Sequence, residues 1–381
     1  MADTEVQTTE LLNWYDRNRR ILPWREDPTP YHVWLSEIML QQTRVEAGKA
    51  YYLRFLETLP YIAALAAAPE DVYLKLWEGL GYYSRVRNLH KAAVMIMEQY
   101  GGEMPGTARE LERLPGIGPY SAAAIASIAF HEPVVSVDGN LLRVFARMTE
   151  YNGDIKSTAA KKAAAGYYEE RITAAGERPG DFNQALMDLG AGICLPSGEP
   201  LCDQCPWQAR CLSCSHGRQQ EFPVMSEKKK RKIERRVVFL LTAEGRIAIR
   251  KRPHKGLLAD LYEFPNVEIT EHADANGLSD AETQEKADIR REILAKVWQI
   301  LKESGRSEDW EKVVEIRGLS EARHIFSHIE WHMTGYEIRL PRIKEAEGIL
   351  WVTKEELEQK YSIPSAFEVY RKEAKRILAE G

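Results

Sequence analysis

Cys194, Cys202, Cys205 and Cys211 stand in a C-x7-C-x2-C-x5-C pattern within CLPSGEPLCDQCPWQARC. Four thiolates over so short a stretch can close around a zinc ion or an iron–sulfur cluster, and the spacing does not choose between them. Cys214 offers a second set, Cys202, Cys205, Cys211 and Cys214, in a CxxC-x5-CxxC arrangement whose middle loop is very short for a zinc ribbon. All five cysteines of the chain lie in this one cluster. That clustering reads as metal binding, not as a secreted disulfide framework.

Two carboxylates stand apart from the rest. Glu37 lies in VWLSEIML, between Trp34 and Leu35 on one side and Ile38, Met39 and Leu40 on the other. Desolvation by such neighbours raises a carboxyl pKa, so this glutamic acid is expected to hold a proton near neutrality and to be able to deliver it. Asp138, in VDGN, stands just ahead of the helical pattern NLLRVFARM. It fits the N-cap of that helix and equally an ionised carboxylate in a reaction site.

The third feature is LPGIGPYSAAAIASIAF, from Leu114 to Phe130. Gly116 and Gly118 allow a tight turn and a close approach of another molecule to the backbone. Pro119 suits a first helical turn, where its missing N–H costs nothing. With Leu111 and Leu114 three apart before the turn, the unit reads as helix, hairpin, helix. The free N–H groups at the second helix's start suit an anion such as a phosphate.

These residues need a scaffold, and the chain supplies two. Its 381 residues imply two domains. Helical patterns fill the first half, over 31–58, 119–130, 140–148 and 158–174, with one break at Gly79-Leu80-Gly81 between two further helical stretches. After the cysteines comes EKKKRKIERR (227–236), seven basic residues in ten, read as a solvated linker or as a strap on phosphates. Then the period changes. VVFLLTAEGRIAIRKR reads as two strands about a turn at Gly245, and HIEWHMTGYEIRL alternates as a strand. An amphipathic helix is expected over 284–303, with Ile289, Ile293, Val297 and Ile300 on one side. Thr353 and Glu356 spell a capping box. The second domain is therefore α+β. The net charge of −5 argues weakly against a nucleic-acid partner, but the distribution of charge outweighs its sum. With no long apolar span and no signal-peptide pattern, a soluble intracellular protein with no membrane partner is expected.

Taken together, PWR at 23–25, WLSEIMLQQTRVE at 34–46, GLGYYSRVRNLHKAA at 79–93, the hairpin, VDGN at 137–140, FNQALMDLG at 182–190, the cysteines and HIFSH at 324–328 carry a resemblance over most of the chain. The sequence resembles the helix-hairpin-helix DNA glycosylases, and within them the adenine DNA glycosylases of the MutY type. The resemblance implies an all-α helix-hairpin-helix catalytic domain with an iron–sulfur cluster loop, followed by a smaller α+β Nudix-like domain. The expected boundaries are 1–218, a basic linker at 219–236, and 237–381. One departure stands out. The family usually separates its first two cysteines by six residues, where LPSGEPL makes seven.

The same resemblance implies removal of adenine mispaired with 8-oxoguanine or guanine in duplex DNA, by a cytoplasmic, nucleoid-associated monomer. Glu37 would be the general acid, and Asp138 would stabilise or capture the oxocarbenium sugar with Asn140 in support. Related enzymes resembling endonuclease III place a lysine where this chain has Tyr120, and tyrosine cannot form their Schiff base; a glycosylase with little or no lyase activity follows. Arg20, Leu22, Trp24, Gln184 and Asp188 should line the adenine pocket, and Gln42 and Tyr82 should enter the duplex. Ser327, between Phe326 and His328 on a strand, should read the oxidised base. Cys194, Cys202, Cys205 and Cys211 would hold a 4Fe–4S cluster. Two other classes fare worse. A Nudix hydrolase needs a REUXEEXGU helix, and RREILAKV at 290–297 lacks the paired glutamates; a non-enzymatic redox sensor would need neither carboxylate.

Overall fold

The computed structural model describes residues 2–226, 231–269, 292–300 apart from positions 294 and 298, and 315–380. They group into two compact units, one formed by Met1–Ala68 with Ser84–Lys228 and the other by Pro69–Tyr83 with Lys229–Gly381.

The first unit is helical. Its site-bearing helices are α1 (Ala2–Asn18), α2 (Pro23–Glu26), α3 (Pro30–Leu40), α4 (Pro119–Ala129), α5 (Gly139–Thr149) and α6 (Pro179–Gly192). Two starts are fixed by side-chain caps. Thr29 caps α3 through His32 N–H with Pro30 in the first turn, and Asp138 caps α5 through Leu141 N–H. The expected helix over 31–58 is broken at 41–44, between α3 and the next helix, Val45–Thr58. Gln42 lies in that break with φ of 58°. The core sits where α1, α5 and α6 meet, with Leu11, Tyr15, Phe145, Tyr168, Phe182 and Trp207 buried together. Burial of each such side chain contributes roughly 1.5–3 kcal/mol. Gly190 makes a close approach, since a Cβ there would stand 2.5 Å from Asn140 Cβ. The small residue lets α6 pass directly beneath the first turn of α5.

The second unit is a mixed sheet. Strand β1 (Lys232–Ala243) pairs parallel with β7 (Ile329–Arg339) over its whole length, and antiparallel with β2 (Arg246–Lys251) and β4 (Asn266–Ile269). β7 also pairs antiparallel with β5 (Glu315–Gly318) and β6 (Ala322–Ile325), while β3 (Tyr262–Glu263) and β8 (Ile349–Val352) flank β2. Val238 and Leu240 face one core with Trp331, Phe367 and Tyr370. Val237, Phe239 and Leu241 face another with Ile338, Ile293 and Val297. Burial on both faces explains why VVFLL reads as an unbroken apolar run.

Two expectations change here. The last five residues of the basic run, Lys232–Arg236, are strand and not linker, paired with Ile329–Met333. Charge hid their alternation, for Arg236 lies 4.4 Å over the Trp331 ring and Glu234 accepts a bond from Trp331 Nε1 at 2.9 Å. The helix expected at 284–303 falls largely outside the described residues; Ile293 and Val297, inside them, are helical and buried. The capping box at Thr353 and Glu356 forms as expected.

Candidate active site

α3 delivers Glu37, α4 delivers Tyr120 and the cap of α5 delivers Asp138 to one cavity of about 340 Å³, within the range of small-ligand sites. Asn140, Arg20, Leu22, Trp24, Gln184 and Gln42 line the same cavity. Trp24 is buried and meets Tyr52 edge-to-face at 5.2 Å, so its ring is held by the core and presents only part of itself to the cavity.

Burial raises the Glu37 carboxyl to about 7, the hydrogen bond from Tyr120 opposes that rise, the nearby Asp138 adds to it, and the Arg25 charge opposes it. A carboxylic acid at that value holds and releases protons at neutral pH. Asp138 is also raised by burial, but its charged form is held by donors. Leu141 N–H bonds its Oδ1 at 2.8 Å and Asn140 Nδ2 bonds its Oδ2 at 2.9 Å. The two readings of Asp138 are thus compatible: the residue is a helix cap whose carboxylate also lines the cavity. Burial and the neighbouring carboxyls push the Tyr120 phenol well above its ordinary value, so it stays a neutral donor.

Asp188 departs from expectation. It does not line the cavity but stands buried behind it, held in two ion pairs with Arg20 and Arg25. Its Oδ2 accepts from Arg25 Nη1 at 2.7 Å and its Oδ1 from Arg20 Nε at 2.7 Å. A carboxylate that close to two guanidiniums is fully engaged by them, so it positions the arginines.

Sequence reasoning passed over Arg25, Arg143 and Arg147. Arg25 lines the cavity. Arg143 donates to Asn140 Oδ1 at 2.9 Å, to Gly190 O at 2.6 Å and to Cys194 O at 2.8 Å, which turns the Asn140 amide so that its NH₂ faces Asp138. Arg147 donates to Cys194 Sγ at 3.2 Å. The signal was present: two arginines four apart in the otherwise apolar NLLRVFARM, both buried, must have internal partners.

In the hairpin the two glycines differ. Gly116 has φ of 80°, and a Cβ there would stand 2.6 Å from Asn88 Cβ, so the turn requires glycine. Gly118 is extended, and a Cβ there would meet nothing within 4 Å. Its backbone is open to approach.

The five cysteines line one cavity with the apolar side chains of Val144, Met148, Leu189 and Ile193. Among the described residues no group of three or more Cys, His, Asp or Glu side chains is arranged to hold a metal ion, so the fit rests on the donors around the thiols. Cys194 accepts from Arg147, Cys202 from Gln219 Nε2 at 3.9 Å, Cys205 from Trp207 N–H and Cys211 from Cys214 N–H. N–H donors to each of four sulfurs are what cluster thiolates need. Each of these four sulfurs therefore has a donor at hand.

Ser327 lies in the second unit, not on a strand but in the turn between β6 and β7, closed by Phe326 N–H to Ile329 O at 2.8 Å. Ser327 and His328 are exposed, while Phe326 packs edge-on to Trp331 at 4.9 Å and serves the core. Tyr82, of the same unit, is exposed, and its hydroxyl is 3.0 Å from Ser327 Oγ. Tyr82 and Gln42 both carry positive φ, at 46° and 58°, a backbone conformation that costs energy in non-glycine residues.

A helical domain in which a glutamate raised to about 7, a tyrosine behind the hairpin and a helix-capping aspartate share one cavity, followed by a mixed-sheet domain, defines a class. The family described as HhH-GPD superfamily base excision DNA repair protein matches residues 35–170, and the NUDIX domain family matches 236–373. The solved structure of a thermostable thymine-DNA glycosylase superposes with a TM-score of 0.50 at 28% identity, over 56% of this chain and 97% of that one. Among curated relatives, the adenine DNA glycosylase of Mus musculus is 34% identical, covering 93% of this chain and 75% of its own length. That of Homo sapiens is 33% identical over 93% and 72%. The chain belongs to the adenine DNA glycosylase family.

Proposed function

We propose that this protein excises adenine mispaired with 8-oxoguanine, or with guanine, from duplex DNA by hydrolysis, with little or no strand cleavage. The observation that carries the reading is the Glu37 carboxyl, raised to about 7 and hydrogen-bonded by Tyr120 in the cavity that Asp138 also lines. The adenine leaves the base stack and enters between Arg20, Leu22, Trp24 and Gln184. Glu37 protonates a ring nitrogen as the N-glycosidic bond breaks, since neutral adenine is a far better leaving group than its anion. Asp138, ionised, stabilises the oxocarbenium sugar or captures it before water completes the reaction, the two-carboxylate logic of glycoside hydrolysis. Tyr120 holds Glu37 and has no amine with which to form an imine, which supports a monofunctional enzyme.

The helical domain, 1–218, is read as the catalytic part. The domain after the basic segment, 237–381, is read as the lesion reader, with Ser327 and His328 at its exposed turn and the Tyr82 hydroxyl 3.0 Å from Ser327 Oγ. Gln42 and Tyr82 enter the duplex, and the hairpin backbone at Gly116 and Gly118 meets phosphate. Cys194, Cys202, Cys205 and Cys211 would hold a 4Fe–4S cluster, which when bound ties four points of the loop together and adds a redox-active group. The protein is taken to act as a monomer at the nucleoid of the cytoplasm; among the described residues no helix is long and apolar enough to cross a membrane.

The test is a duplex bearing adenine opposite 8-oxoguanine, incubated with the protein and then treated with or without alkali. Cleavage at the adenine only after alkali is the expected result. An intact strand after alkali refutes the reading, and cleavage without alkali refutes its monofunctional part.

A further inference from the structure

The segment Pro69–Tyr83 stands in sequence between Ala68 and Ser84 of the first unit, yet it groups with the sheet unit. It ends in Tyr82 and Tyr83, and the Tyr82 hydroxyl is 3.0 Å from Ser327 Oγ. Tyr82 is reached through Gly79-Leu80-Gly81, where both glycines have positive φ, at 100° and 70°. Two glycines give this stretch a freedom that other residues would deny it. The aim of Tyr82 therefore depends on how the chain is held just ahead of them.

The hold centres on one carboxylate. Glu78 Oε1 accepts from Ile363 N–H at 2.9 Å and pairs with Arg371 Nη1 at 3.0 Å, while its Oε2 accepts from Lys75 Nζ at 2.8 Å. Lys75 also donates to Tyr361 O at 3.4 Å. An exposed ion pair would hold little, but the Glu78 side chain is only 14% exposed. Ile363 is buried in the core of the sheet unit with Phe367 and Tyr370, and the N–H of a buried residue needs its acceptor. Past Glu78, Trp77 Nε1 donates to Gly81 O at 3.1 Å and closes the glycine turn.

We propose that Glu78 is a positioning residue for mispair discrimination. By tying its segment to Ile363 and Arg371 it holds Tyr82 against Ser327, and so sets the preference for adenine opposite 8-oxoguanine over adenine opposite guanine. The inference rests on the reading of Ser327 as a lesion contact. Glu78 does not line the cavity of Glu37 and Asp138, and it takes no part in breaking the glycosidic bond.

The test is the ratio of single-turnover rates on the two mispairs, measured with the full-length protein. Loss of folded enzyme affects both duplexes alike and cancels in that ratio, so a merely structural role leaves it unmoved. Glu78→Ala should lower the ratio by about 2- to 10-fold, the loss expected when one hydrogen bond at the lesion is misplaced. The Glu78→Ala/Ser327→Ala double variant should fall no further than Ser327→Ala alone, because residues that act as one unit do not add. An unchanged ratio in Glu78→Ala, or a double variant whose loss is the product of the two single losses, overturns the inference. Should Glu78→Ala fail to fold, Arg371→Gln loosens the same carboxylate and leaves its bond to Ile363 N–H in place. It should lower the ratio by about 2-fold, the scale of one partly exposed ion pair, and an unchanged ratio there overturns the inference equally. A wild type with equal rates on both mispairs instead overturns the reading of Ser327 on which the inference depends.

Discussion

The phenol of Tyr120 donates a hydrogen bond to the carboxyl of Glu37. That bond favours the charged carboxylate, while burial favours the neutral acid, and burial dominates, leaving Glu37 at about 7. Base removal that needs the protonated form should therefore fall as pH rises through about 7. Tyr120→Phe deletes the bond that lowers the value, so the falling limb should move to higher pH. Single-turnover rates across pH, on both proteins, test this. Glu37→Gln should lose roughly 10²–10⁴-fold and keep duplex binding; a variant within about tenfold of wild type would remove Glu37 from the role of acid.

The same residue makes a statement about stability. Its folded value lies above the ordinary 4.5, so the folded state binds the proton more tightly than the unfolded chain. Stability from this group is complete below about 4.5 and is lost as pH rises to about 7. Glu37→Gln cannot ionise and should flatten that slope. Above pH 7 it should be the more stable protein, by up to about 3 kcal/mol at one pKa unit per 1.36 kcal/mol. Urea denaturation at pH 5 and pH 8 measures the difference, and an unchanged slope in the variant would sink the argument.

Much of this site was legible before any coordinates, because its cues are local. A glutamate with apolar neighbours on both sides must be desolvated, and an aspartate before NLLRVFARM must cap. The residues that sequence misplaced act over long range. The family resemblance places Asp188 in the pocket, and its spacing of four from Gln184 puts both on one face of α6, but Arg20 and Arg25 from elsewhere in the chain take up its carboxylate. Lys232–Arg236 read as linker because charge masked a strand whose partner, β7, lies about a hundred residues later. Ser327 took its meaning wholly from the family resemblance. Its turn position follows from the local hairpin of β6 with β7, whose turn residues Phe326, Ser327 and His328 include neither glycine nor proline to mark it.

Ser327→Ala should weaken the preference for adenine opposite 8-oxoguanine over adenine opposite guanine by about 2- to 10-fold, the worth of a single hydrogen bond of roughly 0.5–1.5 kcal/mol. The single-turnover rate on the better substrate should change less. Tyr82→Phe removes the partner 3.0 Å from Ser327 Oγ and should move the preference in the same direction. Ratios of single-turnover rates on the two mispairs decide it, and equal activity of the wild type on both removes the role from Ser327.

Arg143→Gln strips a buried guanidinium from Asn140, Gly190 and Cys194 at once. Carbonyls left unpaired in the interior should lower stability by about 3 kcal/mol. With Asn140 no longer fixed, its amide can turn from Asp138, so the rate of base removal should fall more than DNA affinity. Denaturation, binding and single-turnover assays on one preparation separate the effects. A loss confined to stability would leave Asn140 positioned by other means.

Tyr120→Lys asks whether the hairpin aims its helix at the sugar. Tyr120 follows Pro119 at the start of α4, behind the Gly116 turn that only glycine can make, and its hydroxyl reaches Glu37 in the cavity shared with Asp138. A lysine amine on that site would stand beside the carbon made electrophilic by the departing adenine. Burial, which raises the Tyr120 phenol, favours the neutral form of any group there, so it would lower the amine's pKa toward the nucleophilic state. Glu37 and Asp138 oppose that shift, because their negative charge favours the ammonium. Burial leads at Tyr120, which leaves enough free amine to attack. Attack displaces adenine, which takes one amine proton, and opening of the sugar ring, whose oxygen takes the other, leaves a Schiff base, which borohydride reduces to a stable protein–DNA adduct, and strand cleavage appears without alkali. Adenine removal itself should slow, since Glu37 loses its phenol donor. A variant that still releases adenine yet never traps on DNA would show that position 120 does not face the sugar, and would detach the hairpin from the reaction centre.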